Sequence, residues 1–363
     1  MQKKALIAMS GGVDSSVAAY LMIQKGYDCA GATMKLYDNP QCSQPGQRAC
    51  CTPSDTEDAR NVAARLGMLY YVFPMQEEFR KSVIDKFTST YLNGGTPNPC
   101  IDCNRFLKFD ALVKKAEELG MDYIVSGHYA RIHKNPDTGR YLLKKGLDST
   151  KDQSYVLYSM TQEQLAHTLF PLGEYTKAEI RQIAQEQGFI NADKPDSQDI
   201  CFVPDGDYAS FIEKYTGNSS IPGDFVSTDG QVLGKHKGHI HYTIGQRRGL
   251  GISAPQSLYV CGKSLQTNQV ILGQKEDLMS SSCLVNDINL IPWDHLDGPV
   301  QCRVKTRYRQ PEQPATIEQI GEDLLKVTFH EPQRAVTPGQ AAVFYDGDTV
   351  LGGGTIVTEA QLK

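Results

Sequence analysis

The stretch Lys4-Ala-Leu-Ile-Ala-Met-Ser10-Gly11-Gly12-Val13-Asp14-Ser15-Ser16 decides the fold. Lys4–Met9 reads as a short buried strand, and Val17-Ala-Ala-Tyr-Leu-Met-Ile, just beyond the quoted residues, reads as a helix, so the glycines lie at a strand-to-helix turn. Two glycines let the backbone turn tightly and present N–H groups. The hydroxyls of Ser10, Ser15 and Ser16 add donors, and the helix N-terminus favours an anion. A pyrophosphate fits such a cradle. Neither the Walker pattern nor the dinucleotide GxGxxG pattern is present; the nearest imitation, Gly262-Lys263-Ser264, has Ser257 where the Walker motif needs its first glycine.

Outward from this loop, residues 3 to about 200 alternate β-branched or aromatic runs with amphipathic stretches, which predicts an α/β fold with a parallel sheet covered by helices. Strands are expected at Lys4–Met9, Cys29–Leu36, Leu69–Phe73 and Tyr123–Ser126. Helices are expected at Ser15–Lys25, Asp55–Leu66, Glu77–Leu92 and Leu107–Leu119. Ser54-Asp-Thr-Glu57 and Thr176-Lys-Ala-Glu179 read as capping boxes, and Gly67, Gly120 and Gly188 stand where a C-terminal glycine belongs. After about Asp205, Gly, Pro, Ser and Asn become frequent between short strand-like runs such as Ser257–Val260 and Gln269–Leu272. The expected organisation is therefore a nucleotide domain over 1–210, a small mixed domain over 211–277 and a small β-barrel over 278–363.

A chain of 363 residues exceeds the roughly 250–300 at which single cores stop growing, which agrees with several domains. With 40% hydrophobic and 22% charged residues it has an ordinary globular composition. Ala5–Met9 is far shorter than the roughly 18 residues of a membrane span, and it runs into Ser10-Gly11-Gly12 without a cleavage pattern. A cytoplasmic protein with no membrane partner is expected. The net charge of −5 argues against binding nucleic acid through bulk charge, but a local basic face remains compatible with it. Arg303-Val-Lys305-Thr-Arg307-Tyr-Arg309 offers such a face, because strand period would align all four cations.

Ten cysteines are too few for a disulfide scaffold of this length, so their clusters suggest metal or sulfur chemistry. Thr96-Pro-Asn-Pro-Cys100-Ile-Asp-Cys103-Asn104 reads as an extended stretch entering a helix near Arg105, which places Cys103 where a helix dipole favours thiolate. Cys201 has acidic neighbours, Asp196 and Asp199, which disfavour a thiolate. Cys29, Cys261, Cys283 and Cys302 read as small apolar side chains. Cys42, Cys50 and Cys51 carry no assignment. A structural zinc site lacks its second C-x-x-C, and His236, His239 and His241 read as a solvated loop.

SGGVDSS at the end of the first strand resembles the PP-loop of ATP pyrophosphatases, which cleave ATP between its α and β phosphates to adenylate a substrate oxygen. With TPNPCIDCNRFLKF, SGHYAR, KDQSYVLYSM, DSQDICFVPDGDY, TIGQRRGLGI and VKTRYRQ in this order, the whole chain resembles bacterial tRNA-specific 2-thiouridylases of the MnmA type. That resemblance implies a PP-loop domain, a central domain and a C-terminal barrel that replace the C2 oxygen of a wobble uridine with sulfur. Adenylation makes the poor oxygen leaving group displaceable by a sulfur nucleophile, hence the pairing of PP-loop and cysteines.

By the same resemblance Ala8, Met9, Ser10, Gly11, Gly12, Val13, Asp14 and Ser15, with Met34 and Gly127, would bind ATP, and Asp14 would help hold Mg2+. Cys103 would be the nucleophile and Cys201 the persulfide carrier, charged by an upstream persulfide or sulfide donor protein. Asn98, Pro99 and Cys100 would line the target base, and His128, Lys151, Asp152, Gln153, Arg307, Tyr308 and Gln340 would contact tRNA. Many members carry Asp where this chain has Cys100, so the general base is missing here. Cys100, Cys103 and Cys201 could instead hold three irons of a [4Fe–4S] cluster, the reading favoured because three cysteines fit three irons. The competing functions are another PP-loop ligase, adenylating a carboxylate for amide formation, and a nucleotide-sensing domain.

Overall fold

The computed structural model describes residues 2–37, 53–195 and 200–359. Cys42, Cys50, Cys51, Asp196 and Asp199 lie outside them. In chain order the elements of the first half are β1 (Lys4–Ala8), α1 (Val13–Gln24), β2 (Asp28–Lys35), α2 (Pro53–Arg65), β3 (Leu69–Pro74), α3 (Gln76–Phe79), α4 (Asp85–Leu92), α5 (Pro99–Asp102), α6 (Leu112–Glu118) and β4 (Tyr123–Val125). There follow β5 (Ala130–Lys134), β6 (Tyr141–Lys145), α7 (Gln162–Ala166), β7 (Thr168–Leu169), α8 (Lys177–Glu186) and α9 (Tyr208–Thr216). The remaining strands are β8 (Gly223–Ser227), β9 (Val232–His236), β10 (Tyr259–Ser264), β11 (Gln269–Gly273), β12 (Met279–Leu290), β13 (Val300–Lys305), β14 (Gln313–Gly321), β15 (Leu324–Arg334), β16 (Ala341–Asp346) and β17 (Thr349–Val357).

These elements fall into two compact units. One holds Met1–Ile84, Pro99–Gly206 and Asp346–Gly352; the other holds Asp85–Asn98, Asp207–Tyr345 and Gly353–Lys363. In the first, the sheet order is β3-β2-β1-β4-β7, and every neighbouring pair is parallel. The order reverses at β1, and in such sheets ligands usually bind outside the carboxyl ends of the strands at the reversal, here those of β1 and β4. Ala5 and Ile7 of β1, Val17, Ala18 and Leu21 of α1, Val62 of α2 and Ile180 of α8 form one buried cluster.

The caps explain where helices stop. Gly67, Gly120 and Gly188 all take positive φ, which closes their helices without a Cβ penalty. Thr176 accepts from the Glu179 backbone while the Glu179 carboxylate accepts from Thr176, the reciprocal box expected for α8. The expected box at Ser54 is not the helix start, because α2 already begins at Pro53 and Ser54 lies inside it. Proline suits the first helical position since it lacks only an N–H that would have no partner there. Thr161 and Gln164 form a box on α7 that the sequence pattern did not single out.

The second unit contains a sheet of order β10-β11-β8-β9, whose core is Phe225, Tyr242, Val260, Val270 and Leu272. The barrel strands, ordered β12-β15-β14-β13-β16-β17 with β12 pairing back to β17 to close the ring, belong to it as far as Tyr345 and again from Gly353. Along β15, Leu325, Val327 and Phe329 are buried between exposed neighbours, the period of two of a strand with one dry face. The three histidines do not form a solvated loop. His236 is buried, with Nδ1 accepting from the Gly238 N–H and Nε2 3.1 Å from the Asn268 carbonyl, while His239 reaches the Leu92 carbonyl and His241 faces Glu213.

Lys263 on β10 has a buried ammonium with no hydrogen-bond partner among the described residues, and burial pushes its pKa down from 10.5 to about 8. Below pH 8 both folded and unfolded chains carry the proton, so the full cost of burying the charge is present. Between about 8 and 10.5 only the unfolded chain holds it, so the cost declines as pH rises. Lys263→Met is expected to stabilise the protein at pH 7 by up to ~3 kcal/mol, with the gain vanishing above the ordinary lysine pKa. Denaturant unfolding at pH 7 and pH 10 checks it. Among the described residues no helix is long and apolar enough to cross a membrane.

Candidate functional site

Every residue expected at the nucleotide site that follows β1 falls at one end of the first sheet. Ser10-Gly11-Gly12 leads from β1 into α1, Met34 is buried near the end of β2, and Gly127 follows β4. Gly11 has φ +75°, and a Cβ there would lie 2.2 Å from the Asp55 carbonyl oxygen on α2. At Gly127 a Cβ would come within 2.9 Å of the Asp14 carbonyl carbon and the Ser15 nitrogen. Two glycines are therefore required by close backbone approach, which seats the loop between α2 and the end of β4. Ser15 and Ser16 do not offer free hydroxyl donors as the sequence suggested: both donate to the Gly12 carbonyl, at 3.0 and 3.1 Å. The exposed Ser10 hydroxyl and backbone N–H groups are left as donors at the loop.

Asp14 sits on the first turn of α1, and its carboxylate accepts from Lys177 Nζ at 2.8 and 2.9 Å and from the Tyr129 hydroxyl at 2.7 Å. Sequence reasoning missed Lys177. Its signal was there to be found, since a lysine at the first position of α8 opposes the helix dipole unless a carboxylate compensates. Only 10% of the Lys177 side chain is exposed, so this pair places a cation beside a loop that has no Walker lysine of its own. If Mg2+ came in with a nucleotide, the Asp14 carboxylate is the hard oxygen donor that this loop would offer it.

The cysteine segment differs from expectation. The helix begins at Pro99, six residues before Arg105, and passes at Cys103 from α-helical to nine residues of π-helix, Cys103–Ala111. Proline at the first helical position again explains the early start. Cys100, exposed, then occupies the first turn, where the dipole acts most strongly, and the half-buried Cys103 lies beyond it. The two thiols, three residues apart, share a helix face. Buried Asn104 anchors this helix by donating to the Val156 carbonyl at 3.1 Å. Cys201 is half-buried on a separate loop, with its carbonyl 3.4 Å from the Tyr37 hydroxyl.

Among the described residues no three His, Cys, Asp or Glu side chains are disposed to hold a metal ion, so Cys100, Cys103 and Cys201 do not fit the expected cluster site. Two of them sit on one helix and the third on a loop about a hundred residues later. The thiols read as apolar are inert: burial lifts Cys29 and Cys261 to about 11 and Cys283 to about 12.

Several residues expected to contact tRNA also make contacts within the fold. His128 is buried between Phe109 and Phe170, with Nδ1 2.8 Å from the Ser126 hydroxyl, and burial with nearby Lys108 holds its pKa well below the usual value. Asp152 accepts from the Gly146 N–H and the Ser154 hydroxyl; Gln153 accepts from the Tyr129 N–H. Lys151 is half-buried in the turn before them. In the other unit, Gln340 donates to the Thr96 carbonyl at 2.7 Å, near Asn98.

The four cations do not form the expected stripe. β13 ends at Lys305, so Arg307 and Arg309 leave the strand period and do not extend one face with Arg303. Arg307 donates to the Ile244 and Ala335 carbonyls and to the Thr337 hydroxyl, whereas Tyr308 and Arg309 are exposed.

Residues 3–205 match the family description tRNA methyl transferase HUP domain, 209–274 the tRNA methyl transferase PRC-barrel domain, and 280–356 the aminomethyltransferase beta-barrel domain. The tRNA-specific 2-thiouridylase MnmA of Carboxydothermus hydrogenoformans is 50% identical over 357 residues, spanning 98% of this chain and 98% of its own. This chain belongs to the tRNA-specific 2-thiouridylase family. The thiouridylase of Clostridioides difficile is likewise 50% identical, over 356 residues and 98% of each chain, and that of Clostridium acetobutylicum 49%, covering 98% of this chain and 100% of its own. The parallel sheet, central sheet and closed barrel are the thiouridylase architecture that the sequence resemblance implied.

Proposed function

We infer that this chain is a tRNA-uridine 2-sulfurtransferase that consumes ATP and releases AMP and pyrophosphate. The observation that carries the reading is full-length membership of the thiouridylase family, combined with a PP-loop at the sheet's switch point and thiols on a separate helix and loop. The uracil O2 of the wobble uridine attacks the α-phosphorus of ATP, and pyrophosphate leaves into the loop of Gly11, Gly12 and Asp14. The terminal sulfur of a Cys201 persulfide then attacks C2, expelling AMP. Cys103 thiolate attacks the inner sulfur, breaking the S–S bond; sulfur remains on the base, and a Cys103–Cys201 disulfide forms, which an external thiol reductant reopens. Cys100 and Asn98 with Pro99 line the base in this reading. Lys151 and the exposed Tyr308 contact tRNA, and the chain works in the cytoplasm with an upstream protein that supplies persulfide sulfur.

Domain boundaries near 210 and 277 follow from the same reading. The test is incubation of purified protein with unmodified tRNA, ATP and a persulfide donor. Equimolar AMP and 2-thiouridine are expected, with protein free of iron as active as any other preparation. Release of pyrophosphate without thiolated nucleoside, or only with a carboxylate and ammonia present, would return the chain to the amide-forming ligases.

A further inference from the structure

The carbonyl of Gly11 is held from outside the loop. Asn191, 3% exposed in the turn after α8, donates through Nδ2 to the Gly11 oxygen at 3.0 Å and to the Ser16 hydroxyl at 3.0 Å. Lys194 Nζ reaches the same Gly11 oxygen at 3.2 Å. The lysine is itself fixed from α2, with Asp55 Oδ1 at 2.5 Å and Asp58 Oδ2 at 2.7 Å. Three parts of the first unit, α2, the turn after α8 and the start of α1, thus converge on one peptide group. Three charged groups and a buried amide are a costly arrangement for a turn that needs only glycines to form.

The geometry of a peptide shows what the arrangement achieves. In a planar trans peptide the C=O and the following N–H point in opposite directions. Drawing the Gly11 oxygen toward Asn191 and Lys194 therefore turns the Gly12 N–H away from them, and that N–H makes no hydrogen bond among the described residues. A Gly–Gly peptide is otherwise easily flipped, since neither residue resists positive φ. Flipping it would present a carbonyl oxygen to an anion.

We propose that Asn191 and Lys194 are positioning residues for the nucleotide loop, locking the Gly11–Gly12 peptide in the orientation that offers its N–H to the polyphosphate of ATP. Asp55 and Asp58 aim the lysine and balance its charge, so the pair acts by orientation and not as a phosphate-binding cation. The inference rests on the loop being the ATP site, as in the proposed function.

The test measures ATP-dependent AMP formation and tRNA affinity for the wild type, Asn191→Leu, Lys194→Met and Lys194→Arg. Asn191→Leu keeps side-chain volume and removes the donors. It and Lys194→Met are expected to raise KM for ATP about tenfold or more, the scale of one hydrogen bond to a charged group. Affinity for tRNA stays at the wild-type value, and Lys194→Arg recovers most of the loss because it keeps a donor near Gly11 and a charge for the two aspartates. A merely structural role would depress tRNA affinity and the rate at saturating ATP together, leaving KM for ATP unmoved, and would overturn the proposal. If Asn191→Leu does not fold, the Lys194→Met and Lys194→Arg pair, whose side chain is 30% exposed, gives the same decision. Wild-type protein that binds no ATP would instead defeat the underlying site assignment.

Discussion

Replacing either Cys103 or Cys201 by serine is expected to abolish 2-thiouridine formation while ATP and tRNA still bind. A hydroxyl cannot carry persulfide sulfur, and at neutral pH it is too poor a nucleophile to cleave an S–S bond, so neither role survives the change. The two thiols belong to different structural settings. Cys103 stands at the transition from α- to π-helix, and Cys201 lies on a loop whose backbone meets Tyr37, so neither substitution disturbs the PP-loop. Both variants therefore continue to form AMP when tRNA is present, at least for one turnover. Mass spectrometry of digested tRNA, alongside AMP quantified by chromatography, separates the two half-reactions. A variant that still thiolates removes that cysteine from the mechanism.

Gly11→Ala is expected to eliminate adenylation and to destabilise the protein. Its Cβ would lie 2.2 Å from the Asp55 oxygen, with the Asp55 carbonyl carbon and Cα at 2.7 and 2.8 Å, and all three are backbone atoms that cannot rotate away. The residue also holds φ +75°, which costs a non-glycine residue roughly 1–2 kcal/mol before any clash is counted. The loop must move off α2, and the oriented peptide is lost with it. Gly12→Ala is the internal control for stability. At Gly12, φ is −90° and an added Cβ meets only the Ser10 hydroxyl, at 3.5 Å, so this variant folds with wild-type stability. Thermal unfolding and ATP titration of both variants distinguish a steric requirement at Gly11 from a general preference for glycine. Equal stability of the two would show that the loop does not depend on its approach to α2.

The strand, glycine turn and helix expected to bind nucleotide were legible because their information is local. A strand, two glycines, an aspartate and a helix follow one another within about twenty residues, and the backbone physics of glycine and helix N-termini assigns them without knowledge of distant contacts. The strands at Lys4, Leu69 and Tyr123 and the capping box at Thr176 were legible for the same reason. The helix carrying the cysteines was placed too late because Pro97 and Pro99 both suggest extended chain. Proline is equally at home as the first residue of a helix, and tertiary anchoring through Asn104 settles which applies.

The sequence by itself determined the class of sheet, the glycine turn between its first strand and first helix and, through its ordered motifs, the thiouridylase family. Only the tertiary structure decided how the polar side chains are used. Arg307 looked like a phosphate ligand and proves to hold three oxygens of its own chain. His128 looked like a surface contact and lies between two phenylalanines. Lys177 and Lys194, which carry no motif, reach back more than 160 residues to Asp14 and Gly11. Backbone preference is a property of neighbours along the chain, whereas the partner of a long charged side chain is whichever group folding brings within about 3 Å, and no local pattern specifies that group.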